Sequence, residues 1–291
     1  MNLSYKVIDN KYENLKQILK LEFGVSDRLL LRLKTNKKIF INNNIAFIND
    51  LIHLNDTISV LIDFEEDNSN IVPTQMNLNI VYEDEFMLIL NKQSGIAIHP
   101  SCMHFDNSLS NGVKYYFDSI GLKKKIRPVN RLDKDTSGLV VFAKNEYIQE
   151  CLVNQMKSKI FKKEYFAILN GILENKTGTI NAPIAREEDS IIKRCVREDG
   201  DISITHYEVI KILNNNMCLV NFILETGRTH QIRVHSSYIG HPIIGDTLYG
   251  SFSNLISRQA LHSYKIEFIH PILKEKMTFE IGLPDDMLKL I

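Results

Sequence analysis

The sequence predicts an α+β chain of two units, a small α/β unit followed by a larger one dominated by a mixed sheet with helices between its strands. Three observations predict it. Strand-like segments outnumber helical ones after residue 77, with both kinds interleaved. The stretch "DFEEDNSNIVPTQMN" (63–77) is acidic, rich in Asn and Ser and broken by Pro73, which is linker composition. The length of 291 residues suits one large domain with a small one attached. The expected boundaries are 1–66 for the first unit, 67–77 for the linker and 78–291 for the second unit.

In the first unit, "LKQILKLEFGVSDRLLLRLKTNKKIFINN" (15–43) predicts two short helices and then a strand. Leu15, Ile18 and Leu19, then Leu29, Leu30 and Leu33, have helical spacing, and Ser26 or Asp27 can cap the second helix. "LNDTISVLI" alternates as a strand does. Arg28, Arg32, Lys34, Lys37 and Lys38 could line one side of this unit, although a solvated helix would carry the same residues. In the second unit, "LNIVYEDEFMLILNKQSGIAIHP" (78–100) predicts two strands joined by an acidic turn, and "GLVVFAKN" another. "NEYIQECLVNQMKS" predicts a helix with Ile148, Cys151, Leu152 and Met156 on one face. "KKEYFAILNG" is a strand ended by Gly171. "CLVNFILETG" is a strand running into a helix over "RTHQIRVHSSYIGHP", with Thr229 as cap and Gly240 as stop. "ALHSYKIEFIHP" and "KMTFEIGLP" supply late strands.

Composition excludes several classes. The 44% hydrophobic and 24% charged content is that of a globular protein. No apolar run approaches the ~20 residues that span a bilayer, and "MNLSYKVIDN" lacks the pattern of a secretion signal. Cys102, Cys151, Cys195 and Cys218 are scattered without CxxC spacing, as reduced thiols in a cytoplasm are, so a cytoplasmic protein is expected. The 35 basic and 35 acidic residues balance, but residues 121–163 hold eleven Lys/Arg against four Asp/Glu. That local excess is either a solvated face or the footprint of a polyanion.

The excess surrounds "RPVNRLDKDTSGLVVFAK" (127–144), which crowds Arg131, Asp133, Asp135, Thr136, Ser137 and Gly138 ahead of an apolar strand. No P-loop and no GxSxG elbow occurs. His230, His235 and His241 complete no known metal-ligand spacing, so no metal is expected. An aspartyl-phosphatase reading of "DKDTS" fits poorly, because its fifth residue is Ser137 and "RPVN" is not an apolar strand, and stands as a distant third. A single working carboxylate fits better. To stay ionised in a partly buried pocket it needs a cation, and an arginine fork is the best partner. Arg228 and Arg233 are both candidates for that pairing. Tyr165, flanked by Lys162 and Lys163, could offer an aromatic face to a flat ligand. A carboxylate, an arginine, a tyrosine and a basic surround suit an extruded nucleobase.

"NRLDKDTSGLVVFAK" closely resembles the HRLDxxTSG signature of the RluA family of pseudouridine synthases. "NKQSGIAIHP", "KKEYFAILNG" with its KxY, "ETGRTHQIRVH", "GHPIIGDTLYG" and "RQALHSYKIEFIHP" resemble further family segments in the family's order, from about residue 78 to 284. The resemblance implies a pseudouridine synthase catalytic fold on a largely antiparallel sheet, and isomerisation of uridine within RNA without metal or organic cofactor. Asp133 would be the catalytic aspartate, by covalent attack or as a base. Arg131 would help extrude the uridine, and Tyr165 would stack on it and assist proton removal from carbon five. Arg233 would pair with Asp133. Thr136, Ser137 and Arg228 would contact substrate, and Gly138 would lend the loop backbone freedom. The expected partner is RNA, with large-subunit ribosomal RNA first and transfer RNA second; no membrane is expected, and a monomer is the simplest state. The first unit resembles a diverged alpha-L RNA-binding domain of the ribosomal-protein-S-four type, without the usual glycine in "TNKKIFINN". Asn130 stands where the signature has His. A rival class is an RNA-binding protein that keeps the fold without the chemistry.

Overall fold

The protein is seen here in a computed structural model that describes residues 1–101 and 104–291; Cys102 lies outside the described residues. The chain opens with strand β1 (Asn2–Lys6), which the sequence reading does not assign. Helices α1 (Leu15–Leu21) and α2 (Asp27–Thr35) follow, each begun by a side chain that accepts an otherwise unpaired amide. Asn14 Oδ1 accepts from Gln17 N at 3.1 Å, and Ser26 Oγ from Leu29 N at 3.2 Å. The six apolar residues with helical spacing are buried. β2 (Ile39–Ile41), β3 (Asn44–Ile45) and β4 (Thr57–Leu61) complete a four-stranded sheet in the order β1-β4-β2-β3.

Residues 62–79 form no helix or strand, yet they are not a loose spacer. The Glu66 side chain is 4% exposed and takes three charge-assisted hydrogen bonds, from Arg127 Nη1 (2.6 Å) and Nη2 (2.7 Å) and from Arg32 Nη1 (2.7 Å). Asn68 bonds Lys124 O and accepts from Ile126 N. The acidic composition that reads as a linker supplies anions for a basic seam. Burial alone would raise the Glu66 carboxyl, but Arg127 and Arg32 hold it down to about 2.

The second unit contains β5 (Ile80–Glu83), β6 (Met87–Lys92), α3 (Leu109–Ser119), β7 (Arg127–Pro128), β8 (Ser137–Ala143), α4 (Glu146–Lys157) and β9 (Lys162–Asn170). Then come β10 (Thr177–Asn181), the hairpin β11 (Ile184–Arg186) and β12 (Arg194–Val196), β13 (Ile204–Leu213) and β14 (Met217–Leu224). The chain closes with α5 (Gln231–Tyr238), β15 (Leu261–Ile269), β16 (Lys276–Glu280) and α6 (Asp285–Leu288). The large sheet runs β10-β13-β14-β9-β15-β8-β6-β5, with β16 on β15 and β7 on β8. Its pairings are antiparallel except β15 with β8.

β6 and β8 are apolar on both sides because both faces are covered. Leu88, Leu90, Val140 and Phe142 enter a cluster with α3 residues Val113 and Phe117. Met87, Ile89, Leu139 and Val141 enter another with Ile148 and Leu152 of α4. That second cluster continues into Leu15, Leu19 and Leu33 of the first unit. Arg32 also reaches Glu146 Oε1, in the first turn of α4, at 2.8 Å. The basic excess at 121–163 is therefore not one face. Arg127 and Lys124 are spent on residues 64–66, and Lys144 on Glu83 and Asp84 O. Lys157, Lys159, Lys162 and Lys163 line a cleft.

Candidate active site

The parallel seam of β8 and β15 fixes the loop before β8. At Gly138, φ is +118°, and a Cβ there would stand 2.2 Å from Ser263 O of β15. No L side chain fits. The loop therefore arrives at the sheet in one arrangement. Asn130, where the signature has His, is buried and clasps β8 from the other side. Its Nδ2 donates to Leu139 O at 3.0 Å, and its Oδ1 accepts from Val141 N at 2.9 Å. Asp133 to Thr136 makes a turn closed by Thr136 N to Asp133 O at 3.1 Å. Beneath it, the buried Lys92 ammonium donates to Lys134 O, Gln93 O and Ile96 O at 2.8–2.9 Å. Burial pushes Lys92 down to about 7, with Asp135 and Asp133 pulling the other way.

The turn presents Asp133 to a cleft of about 1190 Å³ bounded by β9 and the approach to α5. Arg233, on α5, donates from Nη1 to Asp133 Oδ2 at 3.0 Å. The Asp133 side chain remains 25% exposed, so it is paired and still open to the cleft. Tyr165, on β9, lines the same cleft and is 5% exposed; burial pushes its phenol up. Arg131 is exposed at the mouth. It also lines an adjoining groove of about 420 Å³ with Arg186, Arg194 and Arg228. The four predicted residues Asp133, Arg233, Tyr165 and Arg131 are thus brought together.

Other sequence candidates make contacts of their own. Arg228 lines the cleft but turns to Asp201 (3.5 Å) and Ile202 O, leaving Asp133 to Arg233. Thr136 lines the cleft and is buried, and its Oγ1 accepts from Gln259 Nε2. Ser137 Oγ meets His262 Nδ1 at 2.8 Å, outside the cleft lining. Burial, with Arg258 nearby, pushes His262 down to about 4. Thr229 does not cap α5: that position is His230, in the left-handed region at φ 58°, while Gly240 ends the helix at φ +82° as expected. His230 Nδ1 meets the Tyr249 hydroxyl at 2.8 Å, and its Nε2 lies 3.8 Å from Asp133 Oδ1. His235 is held by Thr205 and Ala182 O, and His241 by Asn170 O. Among the described residues no group of three His, Cys, Asp or Glu is placed to hold a metal, and no helix is long and apolar enough to cross a membrane.

Comparison with known proteins joins this geometry to a family. Residues 86–238 match the RNA pseudouridylate synthase family. The chain is 40% identical to the "Uncharacterized RNA pseudouridine synthase YjbO" of Bacillus subtilis (strain 168), over 93% of this chain and 95% of that protein. This chain belongs to the RNA pseudouridylate synthase family. A further relative is the "Ribosomal large subunit pseudouridine synthase D" of Blochmanniella floridana, 34% identical over 88% of this chain and 86% of that protein. Among solved structures, "Human RNA Pseudouridylate Synthase Domain Containing 1" superposes with a TM-score of 0.60 at 27% identity, covering 71% of this chain and 83% of that one. The protein is accordingly an isomerase acting on RNA, on the α+β fold with a largely antiparallel sheet that the sequence predicts.

The pseudouridine synthase also has site residues that sequence reasoning misses. Asp246, fully buried, takes Arg233 Nε at 2.7 Å and Nη2 at 2.9 Å in a fork-on-fork pair. Tyr249 lies under the Arg233 guanidinium, 5.0 Å from ring centroid to Cζ. Both sit in "GHPIIGDTLYG", and nothing in local spacing says that its aspartate reaches an arginine 13 residues earlier.

Proposed function

We propose that this pseudouridine synthase modifies a uridine of large-subunit ribosomal RNA with Asp133 as its catalytic carboxylate. The observation that carries the catalytic assignment is the Asp133–Arg233 pair at 3.0 Å, open to a cleft that Tyr165 also lines. Arg233 is clamped on its far side by Asp246 and cannot swing away, so Asp133 faces a fixed cation. Uridine is extruded into the cleft at a cost of a few kcal/mol, and Arg131 at the mouth takes part in filling the gap. Asp133 acts on the sugar or the base while the bond between uracil nitrogen and ribose breaks. The base turns, carbon five bonds to the ribose carbon, and the carbon-five proton is lost to solvent while the freed nitrogen takes one up. Tyr165 supports the base through its ring; with its phenol pushed up by burial, it is a poor proton acceptor at neutral pH.

The ribosomal substrate is favoured by the names of relatives such as the Blochmanniella floridana protein. The first unit, residues 1–66, serves as an RNA-contacting appendage. Arg32 is committed to Glu66 and Glu146, while Arg28, Lys34 and Lys37 remain exposed. Mapping pseudouridine in ribosomal and transfer RNA from cells with and without the protein tests the substrate. Loss of a large-subunit ribosomal site supports it, and loss confined to transfer RNA contradicts it.

A further inference from the structure

The cleft contains a half-buried cation that the reaction leaves unused. Lys163 lies two residues before Tyr165 on β9, so both side chains leave the same face of the strand. Glu164, between them, is engaged on the other face by the Tyr264 hydroxyl (2.9 Å), Asn221 Nδ2 (3.2 Å) and Lys265 Nζ (3.2 Å). Lys163 lines the same cleft as Asp133 and reaches toward Gly227 in the turn before α5. A Cβ on Gly227 would stand 3.2 Å from Lys163 Nζ and have no other neighbour within 4 Å, so the glycine leaves open the space around the ammonium.

Three neighbouring cations are already paired. Lys159 is bound to Glu225, Lys265 to Glu164, and Arg233 to Asp133 and Asp246. Lys163 has no carboxylate or carbonyl partner among the described residues, and burial alone pushes its ammonium down. A partly buried cation without an anion is costly to hold. The missing anion is one that RNA carries beside every base.

We propose that Lys163 anchors the target nucleotide by its backbone: its ammonium takes a non-bridging oxygen of a phosphate flanking the extruded uridine. The inference rests on the isomerase reading above. With the ring supported by Tyr165, a phosphate held at Lys163 fixes the nucleotide at two points, and Asp133 meets the ribose between them. Lys163 is then a positioning residue that binds substrate backbone and moves no proton.

The test uses the full chain and total cellular RNA that lacks this modification, labelled with tritium at carbon five of uridine. Initial rates of tritium release at subsaturating RNA are followed from about 50 to about 200 mM salt. Lys163→Met should lower the rate at least ~10-fold, the worth of one charge-assisted hydrogen bond. It should also flatten the logarithmic salt slope by about 1, as loss of one phosphate contact does. Lys163→Arg should stay within ~3-fold of wild type, because a guanidinium also pairs with phosphate. An unchanged salt slope in Lys163→Met overturns the anchor and leaves a packing role. A Lys163→Arg protein as inactive as Lys163→Met, with an altered pH profile, overturns it in favour of proton transfer. Wild-type protein that releases no tritium overturns the isomerase reading, and the anchor with it; release by wild type with a failed salt test overturns the anchor alone.

Discussion

Replacing Asp246 by Asn removes one charge from the pair that fixes Arg233 while keeping the side chain's shape. Asp246 Oδ1 accepts from Arg233 Nη2 (2.9 Å), Leu248 N (3.0 Å) and Tyr249 N (3.1 Å), and Oδ2 accepts from Arg233 Nε (2.7 Å). The Asn oxygen can inherit the three bonds at Oδ1, but its NH₂ then faces Arg233 Nε–H, donor against donor. The site is dry: Asp246 is 0% and Arg233 9% exposed at the side chain. Breaking a buried pair costs ~3–5 kcal/mol, and retention of one oxygen places Asp246→Asn near the lower end, ~3 kcal/mol. Against a total stability of ~5–15 kcal/mol, that shifts the urea midpoint by ~1 M when the slope is ~3 kcal/mol per M. Arg233, released on one side, should also hold Asp133 less well and lower kcat for tritium release ~10-fold or more. Urea unfolding and tritium release measure the two effects on one preparation. A stability change within ~0.5 kcal/mol together with unaltered kcat would refute the clamp, since that is the range of an inconsequential substitution.

Asn130→Ala removes two buried hydrogen bonds to β8 and leaves Leu139 O and Val141 N unpaired, so it should cost ~2–4 kcal/mol in urea unfolding. Gly138→Ala should yield little folded protein on expression, because its Cβ would overlap Ser263 O. Glu66 sets an acid limit on stability. Its folded pKa of about 2 lies below the ordinary 4.5, so its stabilisation is fully present above about pH 4.5 and is lost as pH falls towards 2. The difference amounts to ~3 kcal/mol, and a pH series should show that component in wild type and not in Glu66→Gln. Tyr165→Phe should retain tritium release within ~10-fold if the ring is what matters, whereas Tyr165→Ala should lose ~1–3 kcal/mol of base stacking; equal loss in both would return the role to the hydroxyl.

Where local pattern and tertiary environment agree, the elements can be read directly. β8 and β9 are apolar segments bounded by Gly and polar turns, and α4 starts at an Asn cap and buries Ile148 and Leu152 on the predicted face. Helix α3 is hidden because "SNG" in its first turn reads as a loop. Gly112 is there for packing: a Cβ would lie 3.0 Å from Met76 Cβ, in the segment that crosses it. The start of α5 is misjudged at Thr229 because a left-handed His230 has no signature in propensity. In the site, the short "RLDKDTSG" run and KxY hold Arg131, Asp133 and Tyr165, so those candidates are visible as motifs. The choice of Arg233 over Arg228 turns on which arginine Asp246 holds, and Lys92 under the turn turns on three carbonyls from two loops. The Arg233 contacts join residues 13 and 100 positions apart and the Lys92–Lys134 contact residues 42 apart, and no period in the sequence reports them.

In the proposed mechanism Asp133, held by Arg233, carries out the isomerisation in this cleft. That role is tested most directly by adding wild-type protein and Asp133→Asn to carbon-five-tritiated RNA lacking the modification, with RNA binding measured in parallel. Tritium release is expected from the wild type and none from Asp133→Asn, which should still bind RNA. Release by Asp133→Asn at the wild-type rate would contradict that role.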